Sequence, residues 1–171
     1  LWRINEFDGG DLIICEGEMD ALSYQEAGVF AVSVPNGAPS KASVGTSSKK
    51  YEYLFDARDK INAADRVIIA SDNDAPGALL SEEIVRRIGK AKCWVVSYPE
   101  GCKDANDVLV KHGGDELLST LVRATPWPVS GIRDAKEFRE TAISLYTDGM
   151  DHGVSLGLPD LDEVYRVNPQ T

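Results

Sequence analysis

The chain has 171 residues, and its 18 lysine and arginine residues against 28 aspartate and glutamate residues give a formal net charge of −10. This balance argues against a protein that holds nucleic acid by a broad basic face alone, but it suits a metal site, which needs acidic ligands. Three cysteines without a Cys-x-x-Cys pair argue against a disulfide framework or a structural zinc and favour a reducing compartment, and the absence of a long apolar run predicts no membrane span.

Short apolar runs alternate with helical patterns along most of the chain. The predicted strands are 11–15, 30–34, 66–70 and 93–97. The predicted helices are 18–28, 49–64, 76–88, 106–112 and 115–124, and a Pro-, Gly- and Ser-rich loop is predicted at 35–48. Strands that alternate with helices indicate β-α-β units. We therefore expect an α/β fold with a mainly parallel sheet of four strands and flanking helices.

The alternation stops near residue 124, where Pro126 and Pro128 interrupt any helix or ladder. Beyond them, 134–147 is predicted to be a helix and 158–167 another short one, and this tail is too small to hold a core of its own. We expect a domain at 1–125 and a linker at 126–171 that packs on a neighbour. Because the chain begins with Leu1 rather than Met, we also expect it to belong to a longer protein.

Acidic side chains follow three of the predicted strands. Glu16 comes directly after the first strand, Asp72 and Asp74 come after the third, and Asp104 and Asp107 come after the fourth. In open α/β sheets, ligands bind outside the carboxyl ends of the strands. We therefore expect these carboxylates to gather at one edge of the sheet.

Clustered carboxylates repel one another unless a cation neutralises them. Mg²⁺ prefers oxygen ligands and keeps several waters, so an Asp-x-Asp pair together with phosphate oxygens suffices to bind it. A glutamate beside such an ion can transfer protons. Each motif alone also fits a turn or a helix cap, which is the simpler reading of Asp74 or Asp104. The three motifs at successive strand ends favour a metal site.

Three strings in the sequence resemble a known family. Residues 16–22 (Glu-Gly-Glu-Met-Asp-Ala-Leu) and 72–77 (Asp-Asn-Asp-Ala-Pro-Gly) resemble the Toprim domain of primases, topoisomerases and some nucleases. Residues 103–109 (Lys-Asp-Ala-Asn-Asp-Val-Leu) are similar to the bacteriophage-type and organellar, Twinkle-like primase-helicases. The tail from 127 onward is similar to the linker and entry segment of their hexameric helicase domain.

The resemblance implies roles for individual residues. Glu16 matches the glutamate assigned to acid–base work or metal coordination, and Asp72 and Asp74 match the metal-binding pair. Asp104 matches a further metal or triphosphate contact, and Lys103 is a candidate contact for the triphosphate. The implied cofactor is Mg²⁺, for which Mn²⁺ could substitute.

The implied activity is the synthesis of RNA primers from ribonucleoside triphosphates on single-stranded DNA during replication. The implied partners are the helicase domain of the same chain and the hexameric or heptameric ring that it forms, in a bacterial or phage-infected cytoplasm or an organellar matrix. The sequence contains no zinc-binding module, no basic lobe and no Gly-x-x-x-x-Gly-Lys-Thr phosphate loop. We therefore expect the catalytic half of a primase with its tether to a helicase. Because some members of this family have lost priming, the alternative is a non-catalytic Toprim scaffold that presents single-stranded DNA to a replicative helicase and supports ring assembly.

Overall fold

A computed structural model of the chain describes residues 1–38, 49–129, 135–148 and 157. The chain divides into two compact units, Leu1–Val129 and Ser130–Thr171. In the part that the structure describes, no helix is long and apolar enough to cross a membrane.

The first unit is built on a five-stranded sheet. Its strands are β1 (Leu12–Cys15), β2 (Ala31–Ser33), β3 (Val67–Ala70), β4 (Cys93–Val95) and β5 (Thr125–Pro126), and their order in space is β2-β1-β3-β4-β5. The first four strands are parallel, and β5 pairs with β4 in the antiparallel sense. The predicted α/β fold with a mainly parallel sheet is confirmed. The short edge strand β5 adds to the four predicted strands.

Seven α-helices flank or follow the sheet. They are α1 (Glu18–Glu26), α2 (Glu52–Asp56), α3 (Arg58–Ala63), α4 (Ala75–Ile88), α5 (Ala105–His112), α6 (Gly114–Val122) and α7 (Arg139–Asp148), all within the described ranges. Short 3₁₀ turns occur at Ile4–Glu6, Lys49–Tyr51, Lys90–Lys92 and Ala135–Phe138. The predicted loop at 35–48 falls mostly, and the predicted helix at 158–167 entirely, outside the described residues.

The helix predicted at 49–64 is present as two helices separated by one residue. Ala57 ends α2 and precedes α3. Its N–H still donates to the carbonyl of Tyr53, and its own carbonyl accepts from the N–H of Ile61. The hydrogen-bond ladder therefore runs through the interruption.

Helices cover both faces of the sheet, which explains why the central strands are apolar along their whole length. Successive side chains of a strand point to opposite faces, so Leu12 and Ile14 pack with α2, α3 and α4, whereas Ile13 and Cys15 pack with α1, α5 and α6. Every residue of β1 and β3 is buried. The polar residues that follow these strands therefore lie at the carboxyl edge of the sheet.

Candidate active site

The ends of β1 and β3 are neighbours. Cys15, the last residue of β1, pairs in parallel register with Ala70, the last residue of β3. Glu16 follows the first of these residues directly, and Asp72 follows the second after one serine. The two acidic motifs therefore leave the sheet side by side, as the predicted topology requires.

The two oxygens of the Glu16 carboxylate lie in different surroundings. Its Oε1 accepts a hydrogen bond of 3.1 Å from the backbone N–H of Ala38. A turn at Asn36 and Gly37, both with positive φ (66° and 61°), brings this N–H back over the end of β1. The second oxygen, Oε2, is buried and has no hydrogen-bond partner within the described ranges. A buried carboxylate oxygen without a donor is costly, so this atom is suited to meet a cation or a donor from a ligand.

Burial raises the pKa of Glu16 above its ordinary value, and repulsion from Asp72 adds to this effect. The backbone N–H groups of Ala38 and Asp72 partly offset both causes. A glutamate whose pKa is raised is a better base near neutral pH than an exposed one.

Asp20 lies behind Glu16 on α1 and is only 8% exposed. Burial raises its pKa to about 6, against the stabilising hydrogen bond of 3.2 Å that it accepts from the backbone N–H of Asn106. The charges of Asp104, Asp72 and Glu16 raise it further. Glu18, in contrast, is exposed. Asp20 is therefore repelled by the acidic residues at the carboxyl edge of the sheet, and its hydrogen bond from Asn106 links α1 to the start of α5.

Asp72 and Asp74 share a single ammonium group. Lys103 Nζ lies 2.6 Å from Asp72 Oδ2 and 3.7 Å from Asp74 Oδ2. The side chain of Asp72 is 13% exposed and that of Lys103 is 54% exposed, so the pair opens to solvent on the lysine side. The two carboxylates, Asp72 first, raise the pKa of Lys103 above its ordinary value.

The start of α4 is packed against the backbone of Asp72. Asp74 is the N-cap of this helix, and its Oδ1 accepts a 2.8 Å hydrogen bond from the N–H of Gly77. A β-carbon at Gly77 would lie 2.1 Å from the carbonyl oxygen of Asp72. Only glycine permits this approach, which fixes the distance between Asp72 and the helix.

Asp104 is the N-cap of α5, and its Oδ1 accepts a 2.7 Å hydrogen bond from the N–H of Asp107. The loops before α4 and α5 are joined directly, because the N–H of Asn73 donates to the carbonyl of Lys103 at 2.7 Å. The structure therefore brings all the predicted site residues to one edge. Across the described ranges, however, no three acidic, histidine or cysteine side chains converge closely enough to coordinate one ion.

A cavity of about 410 Å³ borders the aspartate pair. Its walls come from the carboxyl ends of β3 and β4, the first turns of α4 and the indole of Trp127. Asp72, Asp74 and Glu82 supply acidic groups, and Ser71, Ser81 and Ser97 lie in its lining.

Sequence reasoning did not find three of these features. The donor at Ala38, the ammonium of Lys103 between the two aspartates and the place of Trp127 in the cavity wall all depend on contacts between distant segments. The turn-forming pair Asn36-Gly37 was the one local signal for the first of them.

Comparison with known proteins identifies the family of this chain. Residues 13–109 match the model of a family described as Toprim-like. The chain is 41% identical over 172 residues to a chloroplastic/mitochondrial Twinkle homolog of Arabidopsis thaliana, covering 93% of this chain and 24% of that protein. It is 42% identical over 130 residues to a primase homolog of the same plant, covering 70% of this chain and 39% of that protein.

A DNA helicase/primase of Enterobacteria phage T3 is 29% identical over 153 residues, covering 82% of this chain and 25% of the phage protein. The chain therefore spans about a quarter to two fifths of the length of these three relatives.

Solved structures give the same result. A chain in a structure of the bacteriophage T7 lagging-strand DNA polymerase with primase domains bound to an RNA/DNA hybrid and dTTP superposes with a TM-score of 0.55 at 25% identity, covering 71% of this chain and 58% of that one. The RNA polymerase domain of Mycobacterium tuberculosis primase DnaG shares the fold, with a TM-score of 0.52 at 20% identity, covering 80% of this chain and 50% of that one. The chain therefore belongs to the Toprim-like family, as the Toprim domain of the Twinkle-like primase-helicase group.

Proposed function

We propose that this Toprim domain is the catalytic part of a primase, which makes RNA primers on single-stranded DNA by Mg²⁺-dependent nucleotidyl transfer. The observation that carries the proposal is the pairing of Asp72 and Asp74 around one cationic group, beside the half-buried carboxylate of Glu16 at the end of the neighbouring strand. This arrangement already gathers and neutralises negative charge where a ligand can reach it.

The residues present fit a divalent ion. Toprim domains generally bind divalent metal ions such as Mg²⁺. Here the donors are all oxygens, and one of them, Glu16 Oε2, is buried without a partner. Asp72 and Asp74 would hold the ion with Glu16 as a further contact, and Asp104 would add its negative charge from the neighbouring loop. When bound, the ion would supply charge stabilisation to the phosphates of the substrate.

In the proposed reaction, the 3′-hydroxyl of the primer attacks the α-phosphate of the incoming ribonucleoside triphosphate, and pyrophosphate leaves. Glu16 is the residue suited to take the hydroxyl proton, since its pKa is raised and one oxygen is free to accept. Asp20, Gly17 and Gly77 position the loops and do not touch the reacting atoms. The chain's main contribution is orientation and electrostatics.

The cavity next to the aspartate pair supports a nucleotide substrate. Its volume of about 410 Å³ lies in the usual range for small-molecule sites. A triphosphate that reaches Asp72 and Asp74 would bring its nucleoside close to the exposed hydroxyl of Ser97 and to Trp127, which offer a hydrogen bond and an aromatic surface.

The partners follow from the relatives and stay proposals. The chain covers only a quarter of the Twinkle homolog and of the phage T3 helicase/primase. We propose that a helicase domain follows the linker at 126–171 and forms the ring, and that the single-stranded template is gripped largely by parts outside this chain, because the domain itself is acidic.

The test is primer synthesis by the intact protein with single-stranded DNA, ribonucleotides and Mg²⁺. We expect RNA oligomers from the wild type and none from Asp72→Ala or Asp74→Ala, with DNA unwinding unchanged. Asp59→Ala, which removes a 93% exposed carboxylate on α3, is the matched control and should prime normally.

A second candidate is the non-catalytic scaffold. Lys103 already balances one of the two negative charges of the aspartate pair, and no three potential ligands are gathered in the part of the chain described. Both observations suit a fold that keeps its acidic edge as structure. If the wild type unwinds DNA but makes no oligomers, the scaffold is favoured and the catalytic proposal fails.

A further inference from the structure

Lys103 occupies the place where the Asp72 and Asp74 carboxylates converge. We propose that this lysine is a displaceable cation that competes with the divalent ion for the aspartate pair and, once displaced, binds the phosphates that arrive with that ion. The inference rests on the proposed metal site and adds an order of events to it.

The backbone of Lys103 is held by hydrogen bonds, whereas its side chain is half exposed. Its carbonyl accepts from the N–H of Asn73 at 2.7 Å, and its N–H donates to Asp107 Oδ2 at 3.1 Å. The side chain is 54% exposed, and its terminal ammonium group makes the contacts with Asp72 and Asp74. The ammonium group can therefore leave the aspartates without disturbing the packed core.

An ammonium and a divalent ion compete for the same carboxylate oxygens, because their positive charges repel at short range. Binding of the bare ion at the oxygens that Lys103 contacts would therefore break the contact between Lys103 and Asp72. After displacement, the lysine stays tethered beside the ion, where it can make charge-assisted hydrogen bonds to phosphate oxygens. The same residue should thus weaken binding of the metal alone and strengthen binding of the metal together with a polyphosphate.

Removal of the Lys103 ammonium should therefore change the two affinities, for the metal alone and for polyphosphate, in opposite directions. We would titrate the 171-residue chain with Mn²⁺, following free Mn²⁺ by electron paramagnetic resonance, and then measure tripolyphosphate affinity at saturating Mn²⁺. We expect Lys103→Met to bind Mn²⁺ about threefold more tightly, because a half-exposed ion pair no longer has to be broken. We expect it to bind tripolyphosphate about tenfold more weakly, because a charged hydrogen bond is lost.

Two further variants make the result unambiguous. Lys111→Met removes a similar lysine, which lies 3.1 Å from Asp107 and is 46% exposed, and it should change neither affinity. Lys103→Arg keeps the cation and should keep Mn²⁺ binding weak.

The inference fails if Lys103→Met binds Mn²⁺ no more tightly than the wild type, or if it leaves tripolyphosphate affinity unchanged. Asp72→Asn separates this failure from that of the proposed function. If Asp72→Asn abolishes Mn²⁺ binding while Lys103→Met has no effect, the metal site stands and only the competition is wrong. If Asp72→Asn binds Mn²⁺ as the wild type does, the metal site itself is wrong, and the competition falls with it.

Discussion

The loops that follow β3 and β4 have the same local structure, an aspartate that caps the next helix, but differ in their surroundings. Asp74 caps α4 with φ −140° and ψ 176°, and Asp104 caps α5 with φ −144° and ψ 178°. Each accepts a hydrogen bond from the residue three positions on, at 2.8 Å and 2.7 Å. The first cap shares the ammonium of Lys103 with Asp72, which follows the strand next to the one that carries Glu16. The two caps have the same geometry, so the position of its strand in the sheet is what makes Asp74 a candidate metal ligand and leaves Asp104 as a capping residue.

The two loops also differ at the third residue of their helices. In α4 this residue is Gly77, whose hydrogen atoms face the backbone of Asp72, and in α5 it is Asp107, which carries a full side chain. The β3–α4 loop is therefore closely packed around its acidic pair, while the β4–α5 loop has room.

The largest expected effect tests this difference in packing. Gly77→Ala places a β-carbon 2.1 Å from the carbonyl oxygen of Asp72, so the backbone must shift. We expect the free energy of unfolding to fall by at least about 3 kcal/mol, the upper part of the range for overpacked sites, in urea denaturation. Asp107→Ala removes a partly exposed carboxylate from its contacts with Lys103 and Lys111, so it should cost much less than Gly77→Ala. Gly114→Ala, whose new β-carbon would find only ordinary contacts at 3.5 Å, should be close to neutral. Equal losses at Gly77 and Gly114 would contradict the packing argument.

The next effect concerns the tie between α1 and the β4–α5 loop. The pKa of Asp20 is about 6 in the folded state against an ordinary value of 3.8, so the folded state binds more protons between these values. The stability contributed by Asp20 therefore falls as the pH rises from about 4 to about 6 and stays low above that.

Asp20→Asn keeps the acceptor for Asn106 and removes the charge. We expect this variant to be about 1–3 kcal/mol more stable than the wild type at pH 7.5 in a chelated buffer, and the difference to vanish near pH 4. Urea denaturation across this pH range measures it. A wild type whose advantage grows with pH would show that the sign is wrong.

The two caps themselves give smaller, matched effects. Serine keeps an N-cap and removes the carboxylate, so Asp74→Ser and Asp104→Ser should each change the unfolding free energy by less than about 1 kcal/mol. We expect Asp74→Ser to lower Mn²⁺ affinity at least about tenfold, since a contact to the ion is removed. Asp104→Ser should lower it only about twofold, through the loss of a more distant charge. Equal losses of Mn²⁺ affinity in the two variants would mean that Asp104 binds the ion as Asp74 does, which would contradict the difference between the loops.

Much of this edge could be predicted because its signals are local. Apolar runs marked β1 and β3, helices of ordinary length separated them, and parallel topology then placed Glu16 near Asp72. The capping readings of Asp74 and Asp104 were equally visible and describe hydrogen bonds that the structure contains. The assignment of these residues to a metal remains a prediction.

The edge strand β5, the hydrogen bond to Glu16 and the ion pairs of Lys103 could not be predicted, because they depend on contacts between distant segments that no local pattern encodes. β5 contains Pro126, which lacks an N–H, so its sequence indicates a break; an edge strand nevertheless tolerates proline. The half-satisfied carboxylate of Glu16 depends on a turn that returns the N–H of Ala38 to it. Lys103 reaches Asp72 only because the loops after β3 and β4 lie side by side.

The most direct test of the central claim is a crystal of the chain grown with Mn²⁺ and measured for anomalous scattering. We expect a peak bound by Asp72 and Asp74, with the ammonium of Lys103 moved away from its 2.6 Å contact with Asp72. A map without a peak at this edge, with Lys103 still between the two aspartates, would contradict the metal site and favour the scaffold.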